Sequence, residues 1–329
     1  MKVFVTGATG FIGKQLVTRL VEEGHSVHAL YRTPEKKTEI DMPGVLLFQG
    51  DILDQESLEK AMAGCDVVFH LAAFAKLWDK DTESWYRINV TGTENVLDAA
   101  HKAGIRRFIL TSTAGKYGPS TDGIVTEATK RTVPYLTEYE ETKDMSEQRA
   151  LTYPGRPFDV VIVNPTRVYG PGLLSESNGV TRMVDMYVNG RYNVIPGDGE
   201  SVGNYVYIDD VVEGHILALK KGKDSENYLL AGENASFNEF FKILGEVSGV
   251  QKRMLHLPTG IMSFVATLFE AWTKVSGRPP LITKKWLKRF MYNWNVSCEK
   301  AEKELQYKPV NLEFGLINTV KWLKHIKNS

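Results

Sequence analysis

The sequence predicts an α/β protein: a doubly wound parallel sheet followed by a smaller, mixed α/β C-terminal lobe. Three observations predict it. Near-continuous apolar runs of strand length alternate with amphipathic stretches through the first half. A glycine-rich turn stands between the first run and the first helical pattern, and beyond about residue 170 the alternation loosens into mostly helical patterns. Apolar strands separated by helices mark a parallel sheet covered on both faces.

In order, the strand runs are 2–6, 26–31, 45–48, 67–71, 107–112 and 159–163, rich in Val, Ile, Leu and Phe. Between them, helical spacing of apolar residues predicts helices at 11–23, 55–63, 85–103 and 138–152. Later helical patterns fall at 178–189, 209–221, 236–248 and 259–294, with short strands near 204–208 and 227–231. These suggest a nucleotide-binding unit over 1–169 and a substrate lobe over 170–329. Ligands of open α/β sheets sit beyond the carboxyl ends of the strands, so substrate is expected between the two.

Composition narrows the function. Forty Lys and Arg balance forty Asp and Glu over 329 residues, so no global basic field points to nucleic acid. Two cysteines cannot build a disulfide framework, no CxxC pair exists, and the seven histidines lack ligand spacing. No metal site is expected and a cytoplasmic, reducing setting fits. No apolar run reaches bilayer length, and the N-terminus enters a strand and glycine turn at once.

Residues 6–13 read TGATGFIG. Glycines 7, 10 and 13 permit a tight turn, backbone approach to a pyrophosphate and close helix packing, while the helix start adds partial positive charge. Gly7, Thr9, Gly10, Phe11, Ile12 and Gly13 are therefore candidates for cofactor contact. Two other motifs fail on context. Gly13-Lys14 is followed by Gln15 where a P-loop needs Ser or Thr, and the GxSxG at 199–203 leads into a strand, not a helix. The second strand ends in Leu30-Tyr31-Arg32. NAD-binding folds place an acidic residue here, whereas Arg32 would pair with a 2′-phosphate and no carboxylate would repel it, which favours NADP over NAD.

Among fourteen tyrosines, only Tyr139 has a lysine four residues on, Lys143. On a helix these share a face, so the ammonium is expected to lower the phenol pKa and fit it for proton transfer. The glycine cradle upstream and Thr111-Ser112-Thr113 at a strand end complete a three-part constellation.

Further segments fit the same pattern: GDILD at 50–54, HLAA at 70–73, NVTGTENVLDAA at 89–100, LTSTAGKYG at 110–118, YEETKDMSE at 139–147, NPTRVYGPG at 164–172, YVYIDDV at 205–211 and KAEKELQYKP at 300–309. Together they resemble the extended short-chain dehydrogenase/reductases, the NAD-dependent epimerase/dehydratase superfamily, along essentially the whole chain. The branch resembled is that of dihydroflavonol 4-reductase-like and hopanoid-associated epimerase-like proteins, itself similar to 3β-hydroxysteroid dehydrogenases. The resemblance implies a Rossmann fold, a nicotinamide cofactor and a homodimer through helices 85–103 and 138–152. It implies Tyr139 as general acid/base, Lys143 on the nicotinamide ribose and Thr113, with Ser112 in reserve, on the substrate oxygen. Asn89 is carried over as a site residue with a structural or water-holding role. Asp51 and Ile52 would meet the adenine, Leu71, Ala72 and Ala73 the ribose and pyrophosphate, and Pro165, Thr166 and Val168 the nicotinamide. Phe74, Leu77 and Trp78 would wall the substrate. One departure stands out: nucleotide-sugar members typically carry a diphosphate-clamping arginine where this chain has Gly203-Asn204.

Residues 250–290 hold eight Lys and Arg against Glu270 alone. Ile261, Phe264, Val265, Leu268, Phe269 and Trp272 fall on one helical face, with a second stripe at Leu287, Phe290, Met291 and Trp294. Such helices either pack on the lobe with their lysines solvated or rest on an anionic membrane surface. The expected activity is an NADP(H)-dependent carbonyl–hydroxyl interconversion on a small, apolar or cyclic molecule. The rivals are a nucleotide-sugar epimerase or dehydratase holding NAD tightly, and a non-catalytic NADP-sensing module.

Overall fold

The computed structural model describes residues 1–76, 78–175, 178–277, 280 and 283–328. The first half alternates as expected: β1 (Lys2–Thr6), α1 (Phe11–Glu22), β2 (Ser26–Tyr31), β3 (Val45–Gln49), α2 (Gln55–Met62) and β4 (Val67–His70). A long helical stretch follows in three pieces: α3 (Glu83–Trp85), a π-helical Tyr86–Thr91, and α4 (Gly92–Lys102). Then come β5 (Arg107–Thr111), α5 (Glu138–Leu151) and β6 (Asp159–Pro165). The second half runs β7 (Arg167–Tyr169), α6 (Gly179–Val188), β8 (Val194–Pro196), β9 (Val202–Tyr207), α7 (Ile208–Lys221), β10 (Glu226–Leu230), β11 (Glu233–Ser236) and α8 (Phe237–Ser248). It closes with β12 (Leu255–Leu257), α9 (Thr259–Ser276), α10 (Lys284–Met291), α11 (Glu299–Leu305) and α12 (Leu312–Asn328).

The main sheet has seven strands in the order β3-β2-β1-β4-β5-β6-β10, every pair parallel. Its residues divide by the pleat, since successive side chains of a strand point to opposite faces. Val3, Val5, Ile109, Val161 and Val163 join the core under α1 and α7, and Phe4, Phe108, Leu110, Val160 and Ile162 join the one under α2 and α4. Both faces being apolar is why these strands read as unbroken hydrophobic runs.

The alternation of the first half gave six strands; the seventh, β10, comes from beyond residue 169. The strand expected near 227–231 pairs in parallel with β6, and α7 packs on β5 and β6. In space, then, the sheet unit takes back residues 208–230, while the three-stranded sheet β11-β9-β7 and the pair β12-β8 build the smaller lobe. The single helical pattern at 259–294 is two helices. Gly277 ends α9 in the left-handed conformation (φ +70°), which glycine adopts without a Cβ penalty. Leu287 and Trp294 on the second stripe are buried, but Ile261, Phe264, Leu268 and Trp272 on the first are each more than half exposed.

Candidate active site

β1 ends at Thr6 and the chain turns at Gly7, whose φ of +68° and missing Cβ are both required. A Cβ there would lie 2.6 Å from the Ala72 amide nitrogen. One at Gly13 would lie 2.1 Å from the Gly7 carbonyl oxygen, so glycine lets α1 come down onto the turn. Gly10 gives α1 no side-chain cap and its first turn carries no acidic residue, which leaves backbone N–H groups open to an anion. Beside the turn, Thr6 Oγ1 hydrogen-bonds His70 Nδ1 (2.7 Å) and accepts from the Ala72 amide (3.2 Å). Burial drives the His70 pKa down to about 3, so this ring is a neutral strut between β4 and α4.

From this turn a cavity of about 750 Å³ runs along the carboxyl ends of the strands into the second lobe. It joins nearly every residue assigned to the cofactor from the sequence: the cradle, Arg32, Asp51, Ile52, Leu71, Ala72, Ala73, Pro165, Thr166 and Val168. Arg32, however, does not stand clear of carboxylates. Asp51, from the loop after β3, puts Oδ2 3.8 Å from its Nη1, contrary to the expectation drawn from the second strand alone. The proximity comes from parallel pairing of β2 with β3, which the local sequence does not reveal.

At the other end Tyr139, Thr113 and Ser112 face the same cavity. Thr137 caps α5, its hydroxyl accepting from the Glu140 amide (3.3 Å), and this places Tyr139 in the first turn. Lys143, one turn on, is 1% exposed, and its ammonium has no hydrogen-bond or ion-pair partner among the described residues. Burial lowers its pKa to about 8, with the Glu147 carboxylate pulling the other way. Glu147 is itself fully buried and held by Lys116, Asn164 Nδ2 (2.6 Å) and Asn227 Nδ2 (2.7 Å).

The Tyr139 phenol does not have the lowered pKa that its neighbouring lysine suggested. Burial pushes it up to about 12, and the cation drawing it down is Arg289 of α10. Desolvation outweighs the attraction, because ionising a phenol in a poorly solvated site costs more than one partly neutralised cation returns. Arg289 ion-pairs with Glu140, whose other oxygen accepts from Arg131 (2.8 Å), and it stacks on Trp294 at 4.1 Å. In the sequence Arg289 belongs to a charge run; the adjoining apolar stripe with Phe290 and Trp294 is the signal that this helix faces inward.

Thr113 Oγ1 accepts from the Gly115 amide (3.1 Å), leaving its O–H free to donate, and Ser112 Oγ is buried without a partner. Asn89 is fully engaged. Its Oδ1 accepts from the Phe74 amide (2.6 Å), and its Nδ2 donates to Thr142 Oγ1 (2.9 Å) and the Phe74 carbonyl (3.4 Å). The π-helical turn also frees the Asn89 carbonyl for the Thr93 and Ser146 hydroxyls (2.6 Å each). The residue thus pins the loop after β4 to α5. Phe74 lines the cavity, edge-on to Trp85; Trp78 does not line it, and Leu77 lies outside the described residues. The far wall consists of Met183, Met186, Tyr192, Phe237, Trp286 and Phe290, with Arg167 and Arg182 among them; of the aromatic and methionine residues only Phe290 is marked by the sequence. Apart from Phe290, which falls on the second apolar stripe, no periodicity singles these out, since three helices and a loop contribute them.

These features fit a bound dinucleotide: a cradle that a Cβ would fill, an uncapped helix start, and an unpaired buried hydroxyl and ammonium at the opposite end. Fold and site together define a nicotinamide-dinucleotide oxidoreductase of the extended short-chain dehydrogenase/reductase type. Residues 3–231 match the NAD dependent epimerase/dehydratase family, and the chain belongs to it. A Synechocystis sp. protein carrying the name dihydroflavonol 4-reductase is 31% identical, covering 98% of this chain and 94% of its own. The 4-hydroxy-2-methyl-3-oxo-4-farnesyl-3,4-dihydroquinoline-1-oxide ketoreductase of Stigmatella aurantiaca is 30% identical over 93% and 92%. Among solved structures, the UDP-glucose 4-epimerase of Thermotoga maritima with UDP-glucose superposes with a TM-score of 0.83, at 27% identity over 99% and 100% of the two chains.

Proposed function

We propose that the protein interconverts a carbonyl and a hydroxyl on a small, apolar or cyclic substrate, using NADP(H) as an exchangeable redox partner. The observation that carries this reading is one continuous cavity running from the glycine cradle past Tyr139 and Thr113 to a wall of aromatic and methionine side chains. In this reading Gly7, Thr9, Gly10, Phe11, Ile12 and Gly13 hold the pyrophosphate, and Asp51 and Ile52 the adenine. Leu71, Ala72 and Ala73 pass beneath the ribose, Lys143 binds the nicotinamide ribose, and Pro165, Thr166 and Val168 border the nicotinamide. When bound, the dinucleotide supplies or accepts the hydride. Thr113, with Ser112 behind it, donates to the substrate oxygen. Tyr139, a phenol titrating near 12, is protonated at neutral pH and gives its proton to that oxygen in reduction. Phe74 is a substrate wall, and Asn89 keeps it in place through the Phe74 backbone. The preference for NADP rests on Arg32 and Lys36, two cations against the single carboxylate of Asp51. The ketone named for the Stigmatella relative carries a farnesyl group, and the apolar wall here suits a substrate of that bulk.

A second reading, an epimerase holding NAD tightly, draws support from the UDP-glucose complex of the Thermotoga neighbour and from Asp51 beside Arg32. Mass spectrometry of the nucleotide released on acid denaturation decides between them. Stoichiometric NAD supports the epimerase; NADP or an empty site supports the exchangeable cofactor. A sensing module would be indifferent to Tyr139→Phe, whereas an enzyme keeps cofactor binding and loses on the order of 10²-fold or more in turnover.

For partners beyond substrate, we infer peripheral contact with an anionic membrane surface through α9 and α10. The exposed stripe Ile261, Phe264, Leu268 and Trp272 is followed on α10 by the exposed Lys284, Lys285 and Lys288, a pairing of apolar and basic groups suited to a lipid headgroup layer. Among the described residues no helix is long and apolar enough to cross a membrane. A homodimer through α4 and α5, as the resemblance implies, would bury polar surface, since neither helix exposes a large hydrophobic side chain among the described residues. Co-sedimentation with phosphatidylglycerol vesicles at low salt, lost in Phe264→Glu/Leu268→Glu, tests the membrane reading; no sedimentation of the wild type ends it. The buried free thiols Cys65 and Cys298 fit a reducing cytoplasm.

A further inference from the structure

Gly203 occupies the place where nucleotide-sugar members carry a clamping arginine, yet the position is not without a cation. β7 and β9 pair in parallel with Arg167 opposite Tyr205, and the Arg167 guanidinium lies over Gly203: a Cβ at 203 would be 2.3 Å from its Nη1. Glycine on β9 is therefore what admits an arginine from β7. The loss inferred from the sequence is a relocation. Tyr205, Phe237 and Phe290 surround the guanidinium at 5.5, 5.9 and 5.9 Å, and its one hydrogen bond among the described residues is to Tyr205 Oη at 3.4 Å. Aromatic faces hold a cation in place without neutralising it.

Arg167 has no carboxylate partner among the described residues, in contrast to Arg289, which Glu140 neutralises. Around the catalytic end the cavity wall bears Arg167, Arg182 and Arg289, and the sole acidic lining residue among those described is Asp51, at the adenine end. A small adjoining void is lined by Thr113, Thr166, Arg167, Asn204 and Arg289, which sets the unneutralised guanidinium beside the hydroxyl assigned to the substrate oxygen. A half-enclosed guanidinium fork with free donors matches the paired oxygens of a carboxylate or phosphate.

We propose that Arg167 binds an oxyanion group on the substrate, so that the protein acts on apolar oxo or hydroxy compounds carrying an acid group close to the reacting carbon. This rests on the reading of Thr113 and Tyr139 as the reacting end. The substrate's anion completes the guanidinium's hydrogen bonds and fixes the register of the apolar portion along Met183, Met186 and Phe290.

Calorimetric titration of the full chain, saturated with NADP⁺, tests it with three probes: decanoate, 1-decanol and UDP. The wild type is expected to bind decanoate at least about tenfold more tightly than decanol, as a charge-assisted bidentate pair would give. Arg167→Met removes that preference, while Arg167→Lys retains charge without the fork and keeps part of it. Should Arg167→Met not fold, as judged by circular dichroism, the lysine variant decides: a loss of several-fold for decanoate with decanol unchanged supports the proposal. Arg167-dependent binding of UDP in place of decanoate overturns the apolar-acid substrate and assigns the guanidinium to a nucleotide phosphate. If the binding of neither anion responds to either variant, the proposal is overturned. Failure of wild-type NADP⁺ binding, measured first, counts against the cofactor reading and is seen separately from the decanoate-to-decanol ratio.

Discussion

Replacing Glu147 with Gln removes one negative charge from the catalytic end of the site while keeping the side chain's shape. Glu147 stands one turn from Lys143 on α5, fully buried, and its carboxylate raises a lysine pKa that burial has brought down to about 8. Side chains at i and i+4 approach to about 5–6 Å. At an effective dielectric near 20, two unit charges at that distance attract by about 3 kcal/mol, or roughly two pH units of titration. Lys116 and the amides of Asn164 and Asn227, now facing Gln, cancel part of this, so a fall of about one pH unit is expected. The sign is fixed: losing a neighbouring anion disfavours the ammonium, and the midpoint moves to lower pH. NADPH binding, followed by nucleotide fluorescence between pH 6 and 9.5, reads this directly if Lys143 in its charged form holds the ribose. Wild-type affinity should begin to weaken above about pH 8, and that of Glu147→Gln about one unit earlier. Coincident profiles would refute the electrostatic link between Glu147 and Lys143.

Gly13→Ala puts a methyl 2.1 Å from the Gly7 carbonyl oxygen, so α1 must move out by roughly 1 Å; NADPH affinity should fall at least tenfold, with a lowered melting temperature and an unchanged far-ultraviolet spectrum. Arg32→Ala should weaken NADPH about tenfold and leave NADH within twofold, measured by fluorescence titration; equal losses would remove the 2′-phosphate assignment. Leu16→Ala, at a fully buried position under the sheet, should cost about 2–5 kcal/mol in denaturant unfolding. Leu268→Glu, on the exposed stripe, should change stability by under about 0.5 kcal/mol, and a large loss would mean that α9 is covered in solution.

The first half of the fold was legible because its signals are local. A buried parallel strand needs an apolar residue at every position, and its covering helix needs one every three or four, so β1 to β6 and the helices α1, α2, α4 and α5 show in the sequence within a few residues, while the break that sets α3 and the π-helical turn apart from α4 does not. Glycine spacing and the Tyr139–Lys143 step are likewise short-range; the three glycines and Tyr139 line one cavity, whereas Lys143 is buried and is not among its lining residues. What escaped depends on pairing between distant segments. That β10 returns to lie beside β6, that Asp51 reaches Arg32, and that an arginine on β7 fills the space over a glycine on β9 are facts of register between strands. The direction of the Tyr139 pKa escaped for a related reason: the lysine is visible from the sequence, whereas the burial that overrides it exists only once the chain has folded around the phenol.

The return of β10 to the main sheet also decides what kind of junction the cleft is. The chain passes between the sheet unit and the smaller lobe after β6, again from β9 into α7 and again from β10 to β11, and α11 returns to pack on α7 and β10 before α12 goes back to α6 and α8. A joint that swings needs one or two yielding strands of backbone at its axis; crossings this numerous, the first three running straight out of strands, behave as stitching. Widening the cleft by rocking the lobe against the sheet would strain them all at once, so its width belongs to the fold itself. For the same reason residues 1–169 do not make a severable module: cutting there would strip β6 of its outer neighbour and leave the apolar edge Val160–Val163 without the strand and helix that close it.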